Sequence, residues 1–467
     1  MTKIAIEFND AALVAVGPDG MLGPGGGAEP GYAAVTGSSS LFGTAALRQA
    51  RLRPGHTYNL FWRELSAAPM SATAGPYATA ADLMHAHLQS LWQGWSAGVS
   101  GAIFVVPAYW SQEQLGLLLG IAEELAIPVI GLVDSAVAAT CSRYETDDLL
   151  NIDASLHDVV VTRMKQDGGA AIESRQTIDS LGIERLERVC VEHIAACFLE
   201  RTRFDPLHDA TGEQALHDGL DEWLRSLQRS ASVTATLDRD SDDYTVLIKR
   251  DELAAALATC CEPLMQYVRS RLTAGHLVAI QVSDRLAGFP GIIDRLDQLS
   301  QVTTFVLEPT AAARGALSRA GQFVKTNAGV PFKTSLRWDR AAVEVTVPGD
   351  AAQLPAGEDM PTHVLYMGRA WQIGSEPLTI GSELAPDEYG IGLSIGNRGI
   401  SRRHCSIHSG LNGAELIDHS RFGTRLNGHV IDKAAVLRAG DVISIGEPSV
   451  DLRIITEITS QGSGDGT

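Results

Sequence analysis

From Thr379 onward the chain is written in short apolar runs separated by turn residues: LTIG, GLSIG, HCSIHS, AELID, GTRLNG, DVISIG and VDLRI. Seven or more short strands with turns this frequent bury their alternate side chains by packing face to face, which predicts an antiparallel β-sandwich. Upstream the text differs. Residues 1 to about 335 alternate strand-like and helix-like segments, the mark of an α/β unit. With 467 residues in all, two or three domains are expected.

The α/β region can be followed element by element. Lys3–Phe8 and Ala12–Val16 read as two short strands joined by a turn at Asn9-Asp10, and Leu22–Gly31 as a Gly-rich loop. Ala81–Trp95 has helical spacing. GAIFVVP (Gly101–Pro107) is a continuous β-branched run, hence a buried strand. Ser111 with Gln114 has capping-box spacing and starts a helix to about Ala126. PVIGLV (Pro128–Val133) is the next buried strand, and Ser135–Cys141 opens another helix. This strand, helix, strand order predicts a parallel pair with a right-handed crossover. A strand at Asp158–Met164, a long helical stretch from Ile183 to Leu227 broken near Pro206, and a hairpin of Val233–Leu237 with Tyr244–Ile248 follow. Helix Asp251–Leu272, strand His276–Val282, helix Gly291–Leu299, strand Thr303–Pro309 and helix Thr310–Ala320 close the region.

Composition removes several classes of function. The net charge of −19 argues against general nucleic-acid or anionic-membrane binding, which need a cationic face. The most apolar stretch, Leu115–Ala139, is interrupted by Glu123, Glu124, Pro128 and Asp134, so no membrane span is expected. The N-terminal MTKIAIEFND lacks a signal-peptide core. Six cysteines without CxxC spacing suit reduced thiols in a cytoplasmic protein and predict no metal site. Neither GxSxG nor HExxH occurs, and no catalytic residue is assigned.

Within the C-terminal stretch the motif order resembles the forkhead-associated (FHA) family. Gly381 is followed by Ser401-Arg402-Arg403-His404, then Asp418-His419-Ser420-Arg421-Phe422-Gly423-Thr424, then Asn427-Gly428, with GDVISIG closing at Gly440–Gly446. The resemblance implies an all-β FHA sandwich over 362–458 and a threonine-phosphorylated protein as partner. It assigns phosphopeptide binding to Ser401, Arg402, Ser420, Arg421 and Asn427. Gly381, His404, Gly423, Thr424 and Gly428 take structural roles. The chemistry agrees: a phosphothreonine carries nearly two negative charges and three acceptor oxygens, which hydroxyls, guanidinium forks and backbone N–H groups satisfy. One departure matters. The family's arginine after the early glycine is Ser382 here, so Arg402, Arg403, Arg421 or Arg398 must supply the charge.

Residues 1–326 resemble the Hsp70 group of the actin-like ATPases. The match centres on GAIFVVPAYWSQEQLGLLLGIAEELAIPVIGLVDSAVAAT (Gly101–Thr140), with LFGTAALRQA (Leu41–Ala50) and Arg314-Gly315-Ala316 as further points. The resemblance implies an actin-like α/β fold with a nucleotide cleft. The phosphate hairpins of that family need glycine, because only glycine lets backbone N–H groups approach phosphate so closely. Here they read Glu7-Phe8-Asn9-Asp10 and Asp153-Ala154-Ser155-Leu156-His157-Asp158, and the adenosine loop reads Ser283-Asp284-Arg285-Leu286-Ala287-Gly288-Phe289-Pro290. Carboxylates standing where phosphates would bind repel them by several kcal/mol at an effective dielectric of about 20. Glu7, Asp134, Asp153, Ser283 and Gly288 therefore mark a relic cleft, and no cofactor is expected.

The sequence thus predicts a pseudo-ATPase domain over 1–326 and a linker over 327–361, with a short strand pair at Ser335–Trp338 and Val343–Val347. The FHA domain over 362–458 and a flexible tail over 459–467 follow. Three functions stay open: a phosphothreonine-dependent adaptor, an ATPase using ATP and Mg that is localised by its FHA domain, and an actin-like protein that self-associates.

Overall fold

The computed structural model describes the chain except residues 1, 24–26, 108, 180, 240–241, 274, 324–328, 344, 346–360, 367–368, 375–376, 385–387, 394–398, 411–412, 428, 432, 439, 447–448 and 456–467. It divides into two compact units, Met1–Gln228 with Ser232–Pro348, and Gly349–Thr467 with Arg229–Ala231.

The first unit is mixed α/β and carries two six-stranded sheets. In one, Thr2–Glu7 pairs antiparallel with Val14–Gly17, which pairs with Gly20–Met21. On its other side Thr2–Glu7 runs parallel to Val99–Val106, which runs parallel to Val129–Asp134. The second sheet repeats this plan. Asp148–Ala154, Val159–Lys165 and Gly169–Ile178 form an antiparallel meander, and Val278–Val282 then Val302–Val306 lie parallel beyond Asp148–Ala154. Numbered along the chain, the first five strands of each sheet have the order 5-4-1-2-3, and the sixth lies at opposite ends of the two sheets.

Period-two alternation explains how the central strands are buried on both faces. Ile4, Ile6, Phe104 and Val106 point into one core with helices Ala80–Trp95 and Gln112–Glu124. Ala5, Ile103 and Val105 point the other way, into a core that also receives Leu149, Met164 and Ala279 from the second sheet. Helices Ser135–Ala139 and Ala311–Ser318 cross within that shared core. They approach so closely that a Cβ on Gly315 would lie 2.0 Å from the Ala138 carbonyl oxygen. The far face of the second sheet is covered by helices Ile183–Thr202, Ala210–Leu227 and Arg250–Arg271 and the hairpin Ser232–Arg239/Asp242–Lys249. The capping box expected at Ser111 is formed with both of its hydrogen bonds.

The segment expected to be a linker needs correction. Phe332–Lys333 extends the first sheet beside Val129–Asp134, and Ser335–Arg337 extends the second beside Gly169–Ile178. Among the described residues Ser335–Arg337 pairs with Gly169–Ile178 and not with residue 343, the partner the sequence suggested; Val343 bridges Tyr144. Both sheets present free edges there, and an edge pairs with whatever extended chain reaches it. Residues 344 and 346–360, the rest of that segment, lie outside the described residues.

The second unit is a β-sandwich. One sheet runs Arg369–Gln372, His363–Tyr366, Val450–Ile455, Val442–Ile445, Arg425–Leu426, His429–Val430. The other runs Gly390–Gly392, Leu378–Gly381, Cys405–Gly410, Gly413–Asp418, Ala434–Leu437. Val364, Leu378, Ile380, Ile391, Ile407, Leu416, Ile443, Leu452 and Ile454 fill the space between them. Every pairing is antiparallel except Leu378–Gly381 with Gly390–Gly392, which is parallel. No helix among the described residues is long and apolar enough to cross a membrane.

Candidate functional site

Three loops converge at one end of the sandwich. Gly381 ends a central strand and packs against the next loop so tightly that a Cβ there would lie 1.9 Å from the Arg402 carbonyl oxygen. Backbone N–H groups of Ser382 and Glu383 donate to the carbonyls of Ser401 and Arg402 at 3.1 Å each. Gly381 is thus required by close approach, not by its φ angle.

His404 joins the second loop to the third. Its ring is fully buried. The Ser401 N–H donates to Nδ1 at 3.1 Å, and Nε2 sits 3.4 Å from the Gly423 carbonyl oxygen. Burial holds the imidazole pKa below its ordinary value, so the neutral form accepts at Nδ1 and donates at Nε2. The loop Asp418–Thr424 is wound around its own polar groups. Asp418 Oδ1 accepts from the Ser420 N–H at 2.9 Å and the Thr424 hydroxyl at 2.8 Å. These bonds outweigh the effect of burial and leave the Asp418 carboxyl below the usual carboxylate range. Ser420 Oγ accepts from the Gly423 N–H at 2.8 Å, and Gly423 adopts φ 85°.

Ser401 Oγ accepts the Arg421 N–H at 3.3 Å, across the two loops. The hydroxyl proton stays free to donate, since a serine oxygen accepts and donates at once. The guanidinium groups of the rim differ in availability. Arg402 is 86% exposed and pairs with Glu383 at 3.1 Å. Arg403 pairs with Glu388 at 3.2 Å. Arg421 is exposed, and no described carboxylate pairs with it. Arg398 and Gly428 lie outside the described residues.

Asn427 is used differently from what the sequence suggested. Its Nδ2 donates to Asp441 at 2.8 Å and its Oδ1 accepts the Val442 N–H at 2.9 Å. Both ends of the amide thus hold its own turn, where the backbone has φ 51°. The outward position on the third loop is Phe422, 76% exposed. Sequence reasoning passed over it, although a large aromatic between an arginine and a glycine in a turn is a visible signal.

This end of the unit gathers hydroxyl, guanidinium and backbone N–H groups on loops of a β-sandwich. The FHA domain family matches residues 378–446, and that segment is an FHA domain. FHA domains bind phosphothreonine-containing proteins. The match lies wholly within the C-terminal unit, and no curated protein matches the chain.

The carboxylate-rich cleft of the first unit has another character. Glu7, Asp153 and Ser283 do come together, with Asn151, around a cavity of about 20 Å³. That space holds a water molecule or two. Arg285 is part of its lining. Its Nη2 donates to Glu7 Oε1 at 2.6 Å, and its Nη1 lies 3.9 Å from Asp153 Oδ1. Burial pushes the Glu7 carboxyl up, against the pull of Arg285. Burial also works against the Arg285 charge, but Asp153, Glu7 and Asp284 more than offset it and raise its pKa.

Asp134 does not face that cavity. Its Oδ1 caps helix Ser135–Ala139 by accepting the Ala136 and Val137 N–H groups, and its Oδ2 accepts from Arg175 at 3.1 Å. Gly288 also stands apart, as the C-cap of the short helix Asp284–Ala287. Other polar groups of this unit are bonded to residues distant in sequence. Asn9 donates to Asp153 and to the Ala154 carbonyl, and Asp10 accepts the Leu156 N–H at 2.7 Å. Arg63 grips Asp158 with two bonds, and the Arg51 N–H donates to Gln214. Among the described residues no group of three or more His, Cys, Asp and Glu side chains could hold a metal ion.

Proposed function

We propose that the protein is a phosphothreonine-dependent adaptor. Its FHA domain recruits a threonine-phosphorylated protein, and its N-terminal unit is an Hsp70-like, actin-type scaffold without nucleotide. The observation that carries the recognition half is the junction of Ser401 and Arg421. The Arg421 N–H bond to Ser401 Oγ joins two loops that carry a free hydroxyl proton, the exposed Arg421 with no described carboxylate partner and the exposed Arg402, while His404 and Asp418 are already bonded. A dianionic phosphate ester complements that set.

The scaffold half is supported by the repeated 5-4-1-2-3 strand order, as expected of a duplicated actin-type architecture. Arg285 supports the pseudo-ATPase part: the chain's own guanidinium neutralises the carboxylates that line the cleft. Calorimetry of the full chain with ATP and magnesium should give no binding heat; tight binding would sink the pseudo-ATPase reading. A phosphothreonine peptide library should yield ligands for the wild type. Joint Ser401→Ala and Arg402→Ala substitution should weaken them by ten- to a hundredfold, as loss of hydrogen bonds to a charged group predicts. Unchanged binding would refute this pocket.

A further inference from the structure

Phe422 is a large apolar side chain in a loop whose other members are satisfied. It is 76% exposed, although its neighbours on both sides are engaged: the Arg421 N–H by Ser401, the Gly423 N–H by Ser420. Val430 is 64% exposed on the adjoining short hairpin. Val430 lies against Gly423, the residue that follows Phe422: a Cβ placed on Gly423 would lie 3.3 Å from Val430 Cγ1. Val430 pairs in register with Arg425, itself exposed. The floor is rigid, because Thr424 is buried and bonded to Asp418 and accepts the Ile431 N–H at its carbonyl.

An exposed phenylalanine beside Arg421 gains little for the fold where it stands. Burial against a partner is what such a side chain contributes, and aromatic anchors beside arginine are the usual centres of binding energy. The position also fixes the partner's chemistry. Phe422 follows Arg421 directly, so a chain whose phosphate reaches Ser401 and Arg421 comes within reach of it. The net charge of −19 disfavours an anionic lipid surface as the occupant.

We propose that Phe422 and Val430 form an apolar shelf that selects phosphothreonine segments carrying an aliphatic side chain next to the phosphorylated residue. This rests on the phosphate-binding reading given above. It adds which peptides are accepted.

The test uses the full chain and fluorescence anisotropy with three peptides: a phosphothreonine flanked by Ile and Leu, the same phosphothreonine flanked by Ser and Gly, and the unphosphorylated aliphatic peptide. Wild type should bind the first about tenfold more tightly than the second, the size of one buried aromatic contact. Phe422→Ser should erase that preference and leave the second peptide unchanged; Val430→Ser should reduce it. Phe422 is exposed, so the variant is expected to fold, and an unchanged unfolding midpoint checks this. Equal binding of both phosphopeptides by the wild type, or a preference kept in Phe422→Ser, overturns the shelf and leaves the phosphate site standing. Binding independent of phosphate overturns the phosphate reading instead, and absence of binding to either phosphopeptide overturns both. Phe422-dependent retention on vesicles of phosphatidylserine and phosphatidylcholine, without a flank preference, overturns the shelf in favour of a membrane contact.

Discussion

The cleft of the N-terminal unit and the rim of the FHA domain both gather charged side chains at the ends of β-strands, yet they dispose of those charges in opposite ways. In the cleft the guanidinium of Arg285 is buried between Glu7 and Asp153, and Asp134 is held by a helix terminus and Arg175. At the rim Arg421 stands in solvent with no described carboxylate against it, and Arg402 makes only an exposed pair with Glu383. A buried charge already paired has little left to offer a ligand, since releasing it would cost the full desolvation penalty. An exposed charge pairs weakly and exchanges partners easily. The difference lies in exposure and not in full saturation: Arg285 Nη1, Glu7 Oε2, Asp153 Oδ1 and Ser283 Oγ have no hydrogen-bond partner among the described residues but are buried, whereas the Arg421 side chain reaches solvent.

Four substitutions can break or sharpen that contrast. Arg285→Ala should have the largest effect. It leaves the buried Glu7 uncompensated, at a cost of about 3–5 kcal/mol, read as a fall in the denaturant midpoint with unchanged slope. Adding Glu7→Gln should restore much of the loss; no recovery in the double variant would mean that Arg285 acts through packing alone. Next comes Gly381→Ala. The 1.9 Å approach to the Arg402 carbonyl forces the strand end and the Ser401 loop apart. Overpacking of this kind costs about 1–3 kcal/mol, and phosphopeptide affinity should fall while the N-terminal unit melts as before.

His157→Gln should have a smaller, pH-dependent effect. Burial lowers the His157 pKa, but the bonds to Glu184 and to the Asn59 carbonyl win and raise it above 6.5. Its charged form therefore contributes stability that is fully present below pH 6.5 and lost as pH rises through the higher folded value. Thermal melts of wild type and variant should differ most at pH 6 and converge in alkaline buffer. A difference that grows with pH would contradict the ion pair. Smallest is Glu383→Gln. Releasing Arg402 from its exposed partner should tighten phosphopeptide binding by roughly two- to fivefold at low salt, and less as salt is added. Weaker binding would show that Glu383 positions Arg402 rather than competing for it.

Much of the architecture could be read ahead of the structure for plain physical reasons. GAIFVVP and PVIGLV are continuous apolar runs, and only strands buried on both faces use such runs. Ser111 and Gln114 announce a helix start because their bonds are local. The order Gly381, Ser401, His404, Asp418, Thr424 identified the FHA domain because each residue answers a fixed steric or hydrogen-bonding demand, such as the 1.9 Å approach at Gly381. Other features escaped. Phe332–Lys333 looks like loop text, and pairing with a sheet edge far away in sequence is what makes it a strand; Ser335–Arg337 was legible as a strand, but its partner Gly169–Ile178 was not. The bonds of Asn427 to Asp441 and Val442 were not legible either, because they join residues 14 and 15 positions apart.

The sequence alone determined the two textures of the chain, the sandwich and its motif loops, and the absence of glycine from the hairpins of the N-terminal cleft, because these depend on local pattern and residue type. Only the tertiary structure decided where the charges are spent. Arg285 meets Glu7 across 278 residues of chain and Arg175 meets Asp134 across 41, while Arg421 meets no described carboxylate. Pairing of this kind depends on distance in space, to which residue order gives no direct access.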